Sequence, residues 1–154
     1  TLESRPVRLD DLVQSIAEDA RFEATPRGID VRVVPGKDET VNGVPELLRS
    51  ALENVVRNAL RYAPEGTPVE MHVNGGATGH AVVSVRDHGP GVPEAELSRL
   101  FRPFHRVDAL DPRGGGAGLG LAIVQRAVEL HGGRVGARNA PDGGLIVDIE
   151  LPKA

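Results

Sequence analysis

Three clusters of residues in this 154-residue chain have types and spacings that could do chemistry. The first is Asn54, Asn58 and Arg61. On a helix advancing about 100° per residue, with Leu47 at 0°, they fall near roughly 340°, 20° and 320°. They form a narrow polar strip at the edge of an apolar arc made by Leu47, Leu48, Ala51, Leu52, Val55, Val56, Ala59 and Leu60, and Asn58 lies inside that arc. A half-buried amide is expensive unless it is paired. A neutral amide oxygen can ligate a hard cation such as Mg²⁺, and an arginine one turn on can hold phosphate. Taken alone, the strip is also what two satisfied surface amides would give. Glu53 and Arg57, an i,i+4 pair, read as solvated face.

The second cluster is Asp87-His88-Gly89-Pro90-Gly91, directly after an alternating apolar run. An aspartate at a strand end, held by a glycine-rich turn, can present its carboxylate into a cleft and accept a hydrogen bond from an exocyclic amine such as that of adenine. An ordinary Asx-turn has the same sequence. The third cluster, Gly114 to Leu121, holds Gly116, Gly118 and Gly120 and runs into an amphipathic helix. Glycines permit close backbone approach, and the free amides of a helix N-terminus attract anions. This is not a Walker A loop: the chain's two lysines, Lys37 and Lys153, complete no GxxxxGK[ST]. Nor is it a Rossmann turn, because no strand precedes it and the glycine spacing fails.

Composition narrows the rest. With 18 Lys+Arg against 22 Asp+Glu the net charge is −4, which argues against nucleic acid as the main ligand. The absence of cysteine excludes disulfides, thiolate metal sites and cysteine nucleophiles. The longest apolar runs are far short of the ~20 residues that span a bilayer. No HExxH or GxSxG occurs, and the five histidines (72, 80, 88, 105 and 131) are scattered, with His88 and His105 beside the candidate site. A chain of this length buries about 68% of its unfolded surface, enough for one core, which Leu, Val, Ile and Ala must fill because aromatics are 3%. The expectation is one soluble, intracellular domain.

The elements that must position the clusters follow from periodicity. Asp10-Asp11 are expected to cap a helix running to about Glu23. Ile29, Val31 and Val33 alternate as a strand, and residues 38–42 suit a short edge strand. Pro45 opens a long helix that stops at Tyr62-Ala63-Pro64. Strands over 69–73 and 81–85 form a hairpin, 93–101 a short helix, and 102–117 a long irregular loop of the kind that is usually functional. A helix from about Gly118 to His131 and a final hairpin, 134–138 with 145–151, complete the chain. The pattern reads as an α/β (α+β) two-layer sandwich with a mixed sheet.

Taken in order, the clusters resemble the boxes of sensor histidine kinases. Ala51-Leu52-Glu53-Asn54-Val55-Val56-Arg57-Asn58-Ala59-Leu60-Arg61-Tyr62 resembles the N box and Asp87-His88-Gly89-Pro90-Gly91 the G1 box. Phe101-Arg102-Pro103-Phe104 resembles the F box and Gly116-Ala117-Gly118-Leu119-Gly120-Leu121 the G2 box. The likeness runs from about Val7 to Pro152 and is to the catalytic, ATP-binding domain of the GHKL superfamily, in wording closest to Cpx-type envelope-stress sensor kinases. It implies the Bergerat fold, with residues 1–6 as the end of a linker and 7–154 as the catalytic domain.

The resemblance also implies roles. Asn58 would ligate Mg²⁺, with Asn54 supporting metal and phosphates, and Arg61 would meet phosphate. Tyr62 would lie against adenine, whose amine Asp87 would hold, helped by Gly89 and Gly91. Gly116, Gly118, Leu119 and Gly120 would offer amides to the phosphates. Phe101 and Phe104 would anchor a lid, and Arg106 would reach the γ-phosphate. Ala117 stands where threonine is common, so a hydroxyl contact is lost. No histidine sits in an H box, so the implied activity is transfer from Mg-ATP to a histidine on a separate dimerisation and phospho-acceptor domain, with a response regulator downstream. The implied setting is cytoplasmic, within an inner-membrane-anchored sensor, and the domain alone is expected to be monomeric. A GHKL ATPase is the alternative, but those enzymes place a carboxylate base where this chain has Asn54, which cannot take a proton. A purely nucleotide-sensing module is the other.

Overall fold

The computed structural model describes residues 2–103 and 120–154. Its elements run β1 (Arg5–Arg8), α1 (Leu9–Ala24), a 3₁₀ turn (Thr25–Arg27), β2 (Asp30–Val33), β3 (Thr40–Gly43), α2 (Pro45–Tyr62), β4 (Pro68–Gly75), β5 (His80–Arg86), α3 (Glu94–Leu97), α4 (Gly120–Leu130), β6 (Arg134–Asn139) and β7 (Leu145–Pro152). Five strands form one mixed sheet in the order β2-β4-β5-β7-β6. β2 and β4 pair parallel, and every other neighbour in that sheet is antiparallel. β1 and β3 make a separate two-stranded ribbon.

The two layers follow from side-chain period. Val69, Met71 and Val73 of β4 and Ala81, Val83 and Val85 of β5 are buried, while their alternating neighbours are half-exposed. One sheet face is therefore apolar and carries α1, α2 and α4. The other is polar and stitched by cross-strand pairs such as Ser84 to Asp148 (2.6 Å) and Arg138 to Asp148 (2.8 Å). On α2 the buried set is Leu48, Ala51, Leu52, Val55, Val56, Ala59 and Leu60, a stripe at helical spacing. Leu47, placed in that arc by the wheel, is only half-buried because it lies in the first turn, at the margin of the stripe.

Several boundaries differ from the sequence reading. α1 starts at Leu9 with Arg8 as its N-cap and no side-chain capping bond. Asp10 and Asp11 lie inside the first turn instead, where their charge faces the positive end of the helix. β1 was not expected: Val7 is its one buried residue, so periodicity had nothing to report, and pairing with β3 makes the strand. The short helix predicted for 93–101 is a single turn, Glu94–Leu97, followed by buried Leu100 and Phe101. Among the described residues, no helix is long and apolar enough to cross a membrane.

Candidate functional site

β5 leaves the sheet at Arg86 and delivers Asp87 into the interior, the only buried polar or charged residue among those described, at 2% exposure. Its Oδ1 accepts the backbone N–H of Gly89 at 2.8 Å and of Leu145 at 3.3 Å. Its own N–H donates to the Leu145 carbonyl at 3.1 Å. Among the described residues, Oδ2 accepts no hydrogen bond. Burial pushes the carboxyl above its ordinary value, and the two amides, with His88 and Arg86, hold part of that rise back. The result is an oriented acceptor whose second oxygen has no partner among the described residues.

The turn after Asp87 is held by residues that the motifs do not contain. Asn139, the last residue of β6, accepts the Val92 N–H at 2.9 Å through Oδ1 and donates Nδ2 to the Val92 carbonyl at 2.7 Å. Gly91 has φ 74°, in the left-handed region. Gly89 packs on the end of α2: a Cβ there would lie 2.5 Å from the Tyr62 carbonyl oxygen. That contact joins the Asp87 turn to the helix bearing the polar strip. Gly144, with φ 96°, lets β7 begin against the Asp87 backbone. Arg86 ties the intervening loop down through Asp142 at 2.6 Å and the Gly143 carbonyl at 3.2 Å, and the guanidinium holds the Asp142 carboxyl below its ordinary value.

Asn54, Asn58, Arg61 and Tyr62 are all half-buried along the exposed margin of α2. Asn54 donates Nδ2 to the Ser50 carbonyl at 3.0 Å and receives Arg57 on Oδ1 at 3.3 Å. A Cβ on Gly120, the first residue of α4, would lie 3.7 Å from Asn54 Oδ1, so the strip and the N-terminal end of α4 meet. Asn58 is half-buried and makes no hydrogen bond to any described residue. The helix end carrying Arg61 and Tyr62 is fixed by Arg27, which donates to the carbonyls of Leu60 (2.6 Å) and Ala63 (2.8 Å).

Phe101 is buried in the core. Phe104, His105, Arg106, Gly116, Ala117, Gly118 and Leu119 lie outside the described residues. Among the described residues, His88 and His131 have structural partners. His88 Nε2 meets Glu70 Oε1 at 2.8 Å. His131 donates Nδ1–H to the Ala127 carbonyl at 2.7 Å and accepts the Val44 N–H on Nε2 at 3.1 Å. The structure therefore brings Asp87, Gly89, Gly91 and Tyr62 together, and separately Asn54 with Gly120. Asn139, Gly144 and Arg27 were missed by the sequence reading. The only trace of Gly144 in sequence is the Asp142-Gly143-Gly144 turn, and Asn139 and Arg27 left none.

Sensor histidine kinases are among the known proteins that this chain resembles. Residues 43–154 match the family described as histidine kinase-, DNA gyrase B-, and HSP90-like ATPase. Sensor histidine kinase CpxA of Escherichia coli (strain K12) is 42% identical over 154 residues, covering 98% of this chain and 33% of the relative. Sensor protein kinase PmrB of Pseudomonas aeruginosa is 40% identical over 151 residues, covering 96% and 31%. This chain thus spans about a third of the length of these curated relatives. Among solved structures, a mycobacterial sensor histidine kinase, MprB, superposes with a TM-score of 0.86 at 30% identity over 98% of each chain. Full-length ShkA in complex with AMPPNP gives 0.87 at 32% identity, covering 100% of this chain and 32% of that one. With the α/β two-layer Bergerat architecture in place and 112 of its residues (43 to 154) matched, the chain belongs to the family of histidine kinase-, DNA gyrase B- and HSP90-like ATPases.

Proposed function

We propose that this chain is the catalytic, ATP-binding part of a two-component sensor histidine kinase, and that it transfers the γ-phosphoryl group of Mg-ATP to a histidine on a separate dimerisation and phospho-acceptor domain of a longer protein. The observation that carries the reading is Asp87. Two backbone amides hold one carboxylate oxygen and leave the other without a partner among the described residues. That arrangement suits the exocyclic amine of adenine, a donor that a buried lone acceptor selects. The sensor kinases named above and the AMPPNP complex of ShkA support the same reading.

The phosphate end follows from α2 and α4. Asn58 offers an amide oxygen that has no partner among the described residues and is of the type Mg²⁺ accepts, and Asn54 lies beside the first residue of α4. Arg61, one turn from Asn58, would meet a phosphate, and Gly116, Gly118, Leu119 and Gly120 would supply amides. Phe101 and Phe104 would anchor a lid over the nucleotide, and Arg106 would act at the γ-phosphate. Bound Mg²⁺ would supply charge neutralisation on the phosphates. The protein's part is positioning: Asp87 with Tyr62 sets the base, and the α2 strip sets the phosphates. The attacking imidazole nitrogen forms the bond to the γ-phosphorus as the bridging oxygen leaves with ADP. That imidazole would belong to the acceptor domain, because no histidine of this chain sits in an H box; His88 is held by Glu70 and His131 by Ala127 and Val44. A response regulator would take the phosphoryl group next. The chain would act in the cytoplasm, monomeric when alone, with dimerisation left to the acceptor domain. Hydrolysis is disfavoured because Asn54, at the base position, is a neutral amide donating to Ser50.

The test is calorimetric titration with a non-hydrolysable ATP analogue, with and without Mg²⁺, beside Asn58→Ala and Asp87→Asn. Mg-enhanced binding that falls in both variants is the expected result, followed by phosphotransfer to a supplied acceptor domain. No binding by folded wild type would overturn the proposal.

A further inference from the structure

Asn139 lies outside every motif that carries the family resemblance, yet its side-chain amide satisfies both polar groups of one residue, the N–H and the carbonyl of Val92. These contacts join residues 47 positions apart in sequence. A neighbouring strand would normally supply such a pair of bonds; here one side chain does it for a turn that has no strand partner. The Cβ position of Gly91 lies 2.7 Å from Asn139 Oδ1, so the turn is seated directly on the amide.

Asn139 is also paired in the β6–β7 ladder with Leu145. Its two attachments therefore lead to the two donors that orient Asp87. Leu145 donates its own N–H to Asp87 Oδ1, and Gly89, three residues before Val92, donates the other. If the turn and the start of β7 shift against each other, one of these bonds lengthens and the direction of Oδ2 changes.

We propose that Asn139 is a positioning residue for base recognition: by locking the 89–92 turn to the start of β7, it aims Asp87 Oδ2, which accepts no hydrogen bond from a described residue, at a 6-amino purine. This rests on the adenine reading of Asp87 given above. It concerns selectivity for the base, not the phosphates, because Asn139 lies at the Asp87 end of the site, away from the α2 strip.

The experiment measures Kd for ADP and for IDP, which lacks the exocyclic amine, using this chain and its variants. Wild type should prefer ADP, and Asp87→Asn should remove the preference. Asn139→Ala should cut the ADP/IDP ratio about fivefold, the worth of one ordinary hydrogen bond, and Asn139→Ser, which keeps a smaller polar group, should fall between. Gly136→Ala, on the same strand with open space at its Cβ position, should leave the ratio unchanged. Equal losses for both nucleotides, or an unchanged ratio, in Asn139→Ala would overturn the proposal while leaving Asp87 as the base acceptor. If Asn139→Ala does not fold, the ratio in Asn139→Ser decides, and wild-type behaviour there overturns it. A wild type without preference for ADP would instead sink the adenine reading itself.

Discussion

Gly144 approaches Asp87 so closely that a Cβ on it would lie 2.0 Å from the Asp87 carbonyl oxygen and 2.9 Å from the carbonyl carbon. Both contacts are to backbone, which cannot swing aside as a side chain can. The same glycine has φ 96°. The β6–β7 loop is thus part of the Asp87 site, although it lies more than fifty residues away in sequence.

Gly144→Ala should therefore destabilise strongly. The backbone conformation alone costs an L-residue about 1–2 kcal/mol, and the clash adds to that. We expect a total of at least about 2 kcal/mol by denaturant titration, against a change within about 1 kcal/mol for Gly136→Ala. Equal effects of the two would contradict the packing described.

Asp87→Asn should stabilise the fold while weakening nucleotide binding. Burial raises the Asp87 carboxyl above its ordinary value, so the charged form is the costly one. A raised group contributes stability below its unfolded value that is lost as pH rises through the folded one. Asparagine keeps an oxygen for the Gly89 and Leu145 amides and carries no charge. Its advantage over wild type should appear as a higher Tm near neutral pH. The advantage should shrink as pH falls into the carboxylate range and vanish below the ordinary aspartate value of 3.8, where both side chains are neutral. The amide nitrogen at the Oδ2 position would face the adenine amine donor to donor, so affinity falls. Scanning calorimetry across pH, paired with a binding titration, reads both signs.

Asn58→Ala should cost little stability. The amide makes no hydrogen bond to a described residue, and alanine is the better helix former by up to about 0.7 kcal/mol. Thermal unfolding should be unchanged or slightly later, with Mg-dependent nucleotide binding lost. A large drop in Tm would mean that the side chain serves the fold.

Arg27→Ala should loosen the end of α2. It removes two charge-assisted bonds to the Leu60 and Ala63 carbonyls, with an expected loss of about 2 kcal/mol. Hydrogen exchange at the last turn of α2 should rise more than in the first turn. Arg27→Lys should not restore it, since an ammonium lacks the planar fork that reaches both oxygens.

His131→Ala should cost about 1–3 kcal/mol by leaving the Val44 N–H without its acceptor. The ring bridges the C-terminal end of α4 to the residue capping α2. Faster exchange of the Val44 amide is the specific signature, and native-like protection there would refute the bridge.

The helices and strands whose period is visible, including α2, β4, β5 and β7, were legible in the sequence, as was the order of the motif residues. Asn54, Asn58 and Arg61 could be placed on one edge of a helix because helical geometry fixes neighbours three and four residues apart. The sequence also told that Asp87 ends a strand, because alternation stops at Arg86. The tertiary structure alone decided what holds these residues. Asn139 on Val92, Arg27 on Leu60 and His131 on Val44 join positions 47, 33 and 87 apart. No local spacing encodes such bonds, since they exist only after β6 lies beside the Asp87 turn and α4 beside the start of α2. β1 is the same case on a smaller scale: four residues with one buried side chain become a strand only because β3 offers them a partner.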